Sequence, residues 1–141
     1  MDRREPSHGW CTLRLRFEDR ELALLKSSEQ LRGVAYARMP RPDVLRTALS
    51  LAKAGRKIGR ARPSTAVTLE EGEVMLLLEA VRFASQEVQW ATRVQDGQDA
   101  ARRDAVLAAF PELTEKGVWR TFGLTRELDA VALRLDAALK S

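Results

Sequence analysis

A chain of 141 residues, 45% apolar and 31% charged, has the length and composition of one ordinary folded domain, not of a disordered or fibrous segment. The net charge of +4 is unevenly held: residues 1–62 carry 15 Lys and Arg against 7 Asp and Glu, and residues 63–141 carry 9 against 13. The longest apolar run, Val74 to Leu78, is far below the ~20 residues of a bilayer span, no apolar stretch follows the charged N-terminus as in a secretory signal, and the lone Cys11 excludes an intrachain disulfide. A cytoplasmic protein with no membrane span is expected from these features.

Residues 1–9 read as a polar, flexible tail. Cys11, Leu13, Leu15 and Phe17 then alternate with Thr12, Arg14 and Arg16, the period of a strand with one buried face. Glu18-Asp19-Arg20 reads as a turn and Glu21 to Leu25 as a returning strand, which predicts an N-terminal antiparallel hairpin. Val34 to Met39 fits a third strand, and fits equally a helix capped by Ser28. After Pro40-Arg41-Pro42, Asp43 is placed to cap a helix in which Val44, Ala48, Leu51 and Ile58 keep helical spacing. A basic sheet-plus-helix segment over 10–62 is expected from these elements.

Residues 63–141 read as an acidic helical bundle, starting where Arg62-Pro63-Ser64-Thr65 interrupts the pattern and the charge changes sign. Thr68 and Glu71 have capping-box spacing, and a long helix is predicted from there to about Gln95. Leu77, Val81, Val74, Ala84, Val88 and Ala91 form its central apolar stripe, broad enough for a helix at the middle of a core. Asp96-Gly97 breaks it. A shorter helix follows from about Asp99 to Ala109, and Phe110-Pro111 ends that one. A further short helix from Thr114 would end at Gly123. Thr125 would open the last helix, whose Leu124, Leu128, Val131, Leu135 and Ala138 make a seam of a and d positions. The predicted fold is α+β and predominantly helical: a small N-terminal antiparallel sheet, then three to four helices bundled around one long central helix.

Catalytic and metal chemistry find little support. His8 and Cys11 supply one imidazole and one thiol where a structural zinc site needs four ligands, and no phosphate-loop, zincin or nucleophile-elbow motif is present. No metal, no cofactor and no enzymatic activity are expected. Glu73 and Glu87 fall on the apolar side of the long helix, so each needs a cationic partner or a raised pKa; for Glu87 the candidates are Arg120 and Arg126. The aromatic residues read mainly as core, Phe83 and Phe122 among them, with Trp10 and Trp119 as candidates for stacking.

The one concentrated feature is KAGRKIGRAR at 53–62, five cations without an acid. On a helix Lys53, Lys57 and Arg60 share a face that Arg46 extends, while Arg56 and Arg62 add charge nearby. The residues after Gly55 are too basic and too broken for a helix-turn-helix. The helix macrodipole explains two or three cations at a C-terminus but not five. With Arg14 and Arg16 on the outer face of the strand, these residues would grip phosphates without reading bases. A non-catalytic binding protein for nucleic acid, DNA or RNA, or for another polyanion is therefore expected. The alternative is a protein–protein adaptor or homodimer using apolar helical faces, the Leu124–Ala138 seam or the surface around Leu76, Phe83 and Trp90, with the basic stretch only a solvated helix end.

Overall fold

The computed structural model describes residues 11–39, 41–93, 99–116 and 118–141, with side chains at all of these except 115, 116 and 118–120. The tail at 1–9, Trp10, the Asp96-Gly97 break and the side chains of Trp119 and Arg120 lie outside what is described. The fold is predominantly helical α+β, as the composition and periodicity predict, but its chain path differs at the N-terminal end.

Strand β1 (Thr12–Leu15) is followed not by a returning strand but by helix α1 (Asp19–Ala37). A capping box starts α1: the Glu18 carboxylate accepts the Glu21 N–H, and the Glu21 carboxylate accepts the Glu18 N–H at 2.8 Å. Leu22, Leu24, Leu25, Ser28, Leu31 and Tyr36 are buried along it. The adjacent burial of Leu24 and Leu25 is incompatible with a one-sided strand. Residues 34–39, ambiguous between strand and helix, are the end of this helix and the turn beyond it.

Helix α2 (Pro42–Arg60) runs close to the expected span, with Pro42 in its first turn, Arg41 at the N-cap and Val44, Leu51, Ala54 and Ile58 buried. Asp43 sits in the first turn and pairs with Arg41 at 3.6 Å instead of capping. A turn over Arg62–Thr65 leads to strand β2 (Val67–Glu70), which pairs antiparallel with β1 in the register Leu13↔Leu69 and Leu15↔Val67. One side of this ribbon, Leu13, Leu15, Val67 and Leu69, packs on the core; the other carries Thr12, Arg14 and Thr68 exposed. The ribbon thus joins a strand of the basic segment to one of the acidic segment.

Helix α3 (Glu71–Ala91) follows β2 directly and packs against α1, α2, α4 (Ala100–Ala109) and α6 (Val118–Lys140). Its six predicted stripe residues are all buried. Its capping box is Glu70 and Glu73, not Thr68 and Glu71. The cap lies two residues later because Thr68 and Leu69 are committed to the ribbon, whose last bond runs from the Glu71 N–H to the Cys11 carbonyl at 2.7 Å. Phe110 ends α4 before Pro111, and the short α5 (Leu113–Lys116) follows. Gly123 does not end a helix, nor does Thr125 begin one: α6 continues through both, with Gly123 at an exposed position where a glycine costs only ~1 kcal/mol relative to alanine. The α6 seam residues Leu124, Leu128, Val131 and Leu135 are buried within this same chain, with α3 the main neighbour.

Candidate functional site

Helix α2 presents its apolar stripe to α1 and α3, which turns the opposite stripe outward. Arg46, Lys53 and Arg60, seven residues apart and so ~10.5 Å apart along the axis, lie on that outward stripe and are exposed, with Arg56 beside them. Arg62 is exposed in the turn that follows. Ser64, in the left-handed region at φ 62°, fixes this turn: its N–H donates to the Phe17 carbonyl at 2.8 Å and its hydroxyl to the Glu18 carboxylate at 3.1 Å. These bonds bring the turn that carries Arg62 against the end of β1, next to Arg16. Arg14 and Arg16 themselves are exposed on the outer side of the ribbon.

Lys57 is the exception among the predicted contacts. Its Nζ donates to Oε1 of buried Glu73 at 2.7 Å, and the same oxygen accepts the Glu70 N–H at 2.8 Å. Lys57 therefore ties α2 to the start of α3 and is spent on neutralising a buried carboxylate, a role visible only once those helices are known to touch.

The other cations of the chain explain why the outward stripe stands apart. Arg20 bonds both Glu112 and Glu127, which holds its pKa above the ordinary arginine value despite partial burial. Arg32 pairs with Glu79 at 2.9 Å and stacks on Phe83 and Tyr36. Arg134 bonds Glu21 at 2.6 Å, and Lys140 pairs with Asp136 at 2.9 Å. Glu79, Glu87, Glu112, Glu127 and Asp136 of the acidic half are thus taken up by α1 and by the bundle itself, and Glu73 by Lys57 of α2. Among the described residues no carboxylate pairs with Arg14, Arg16, Arg46, Lys53, Arg60 or Arg62, and Arg56 has only the electrostatic proximity of Glu29.

Glu29 also accounts for Gly55. A Cβ added at Gly55 would lie 2.6 Å from the Glu29 carboxyl carbon, so the glycine makes room for that side chain across the α1–α2 contact and has no phosphate-loop role. Burial raises the Glu29 pKa, against a smaller opposing pull from Arg56. The folded state therefore favours the protonated carboxyl. The stability this contributes is complete below the ordinary glutamate pKa and is lost as pH rises through the higher folded value. Glu29→Gln is expected to flatten the stability profile across mildly acidic pH and to raise stability slightly at pH 7. Urea unfolding between pH 4 and pH 7 measures both effects.

Glu87, the other carboxylate on the apolar side of α3, lines a 270 Å³ hollow with Arg38 and Arg102. Both its oxygens accept from Arg102, at 2.8 and 2.5 Å, and the guanidinium stacks 3.7 Å from the Trp90 ring centre. Its partner thus comes from α4, not from Arg126 on α6. Arg102 lies over the Trp90 ring and Arg32 over the Phe83 ring, while Phe83 also lines the hollow beside Glu87. Phe122, expected in the core, is 60% exposed. No cluster of three or more metal-ligating side chains occurs among the described residues, and no described helix is long and apolar enough to cross a membrane. Set against models of protein families, curated proteins and solved structures, the chain matches none of them, so its function is read from its own surface.

Proposed function

We propose that this is a non-catalytic binding protein whose ligand is a nucleic acid, held by its phosphates against the outward face of α2. The observation that carries the reading is the contrast in charge pairing. Arg20, Arg32, Arg102 and Arg134 meet carboxylates, while Arg46, Lys53, Arg56 and Arg60 line ~21 Å of one helix without an ion pair among the described residues. Arg62, Arg14 and Arg16 enlarge the surface. Long side chains on a straight helix supply point charges for a backbone and no apolar recognition helix for a groove, so binding without base readout is expected. Both oxygens of Glu87 accept from Arg102, which supports the non-catalytic part of the reading, since that carboxylate is not left to act as a general base.

Fluorescence anisotropy with a labelled duplex and a labelled single strand, titrated across salt, tests the proposal. About four phosphate contacts give a slope near −3.6 for log K against log salt, and Lys53→Ala/Arg56→Ala/Arg60→Ala is expected to reduce it to about −0.9. Lys57 is left in place because its removal would strand Glu73. No binding at low salt, or a triple variant with the wild-type slope, would refute the proposal.

A further inference from the structure

The exposed apolar residues of the N-terminal half are not explained by phosphate binding. Leu45 and Leu49, one turn apart on the outward side of α2, are 61% and 64% exposed, and Val34 and Met39 of the neighbouring α1 end are exposed as well. Met39 and Leu45 line a hollow of about 480 Å³ together with Gly33, Tyr36, Pro42 and Arg41, which is paired with Asp43. It shares Gly33 and Ala37 with a groove of about 830 Å³ between α1 and α4. The surface is concave and lies between helices that run side by side from the Glu29–Gly55 contact to this end. A flat lipid surface fits a convex apolar ridge better than such a hollow, and a phosphate backbone has no use for its leucines. A third helix fits a groove between two packed helices.

Charge specifies the flank of that helix. Arg46, next after Leu45, and Lys53 and Arg56 farther along α2 are exposed and without ion pairs among the described residues, and residues 44–60 contain no acid. We infer that the α1–α2 hollow is the docking site for an amphipathic helix of a partner protein, apolar on the side that covers Leu45, Leu49 and Met39 and acidic on the side that faces Arg46, Lys53 and Arg56. The acidic flank would take the same cations as a phosphate backbone, so the partner helix and a polyanion would compete for this face. The inference stands on the leucines and the hollow, and does not need the nucleic-acid reading to hold.

The test uses a labelled amphipathic helical peptide with leucines at i, i+4 and i+7 and glutamates along the flank, beside the same peptide with lysines replacing the glutamates. The whole chain is titrated against each, followed by anisotropy, as wild type and as Leu45→Ser/Leu49→Ser. Both leucines are exposed, so the variant is expected to keep the wild-type circular dichroism spectrum and melting curve. The acidic peptide is expected to bind saturably, the basic one not, and the leucine variant to weaken binding about tenfold or more as the buried apolar contact is lost. Duplex affinity should be the same in variant and wild type, which separates this site from the phosphate surface. Equal binding of the two peptides, or a variant that binds the acidic peptide as wild type does, would overturn the inference. So would a variant whose only loss is affinity for phosphatidylserine vesicles, which would assign the leucines to a lipid surface.

Discussion

Phe17→Ala is expected to cost about 3–5 kcal/mol of unfolding free energy, the largest effect of any single side-chain truncation considered for this fold. Three connections meet at this residue. Alternation along β1 turns the ring inward, where it is 2% exposed, and the Arg134 guanidinium of α6 lies 5.5 Å from the ring centre. Its carbonyl accepts the Ser64 N–H that fixes the turn between α2 and β2. Removing the ring leaves a cavity between elements already tied together by backbone bonds, so the site cannot close by a small shift, and the cost stays near the upper part of the range. Phe122→Ala is the matched control: the same deletion at an exposed position should change stability by about 0.5 kcal/mol or less. Urea unfolding of both variants, with unchanged m-values, gives the comparison. Equal losses at the two sites would mean that the ring of Phe17 is not in the core.

Arg102→Ala is expected to cost about 2–3 kcal/mol. Breaking a buried ion pair from one side typically costs about 3–5 kcal/mol because the remaining charge is left desolvated. The figure is lower here because Arg102 itself is 37% exposed and water can reach part of the site. The signature is a pH dependence added to the one that Glu29 already gives the wild type. Without the guanidinium, buried Glu87 should bind its proton more tightly when folded, so stability should fall as pH rises from about 4 towards 7. Glu87→Gln in the same chain should remove that slope and restore part of the loss. Because Arg102 also stacks on Trp90 and so ties α4 to α3, hydrogen exchange in α4 should rise in the single variant. A pH profile in Arg102→Ala no steeper than that of the wild type would show that Glu87 is solvated without its partner.

What was legible along the chain depended on the length over which a pattern ran. The α3 stripe from Val74 to Ala91 spans five turns, and a period of 3.6 held that long has no competing reading. Glu21 to Leu25 is too short to distinguish the two periods, and its Leu22 and Leu24 imitate a strand until the burial of Leu25 is known. The box that starts α1 is also unusual in having glutamate at the cap, where Ser, Thr, Asp or Asn is the usual signal. β1 was readable as a strand, but its partner was not. Alternation says which face of a strand is buried and nothing about which distant segment completes its hydrogen bonds. The same limit governs the site. Helical spacing alone put Arg46, Lys53 and Arg60 on one face, whereas the diversion of Lys57 to Glu73 depends on how α2 crosses α3. Leu45 and Leu49 carried no signal at all, because beside Val44, Ala48 and Leu51 they look like one more part of an apolar face.

The pairing of Leu15 with Val67 encloses both α1 and α2 in a single loop of chain. Contacts between those two helices bring together residues joined by a short connection and can form early on the way to the native state. The ribbon demands a much longer closure, and its few bonds return little until the helices are already in place. β1 and β2 therefore act as a clasp fastened late, whose contribution is expressed less in how fast the molecule assembles than in how seldom it opens.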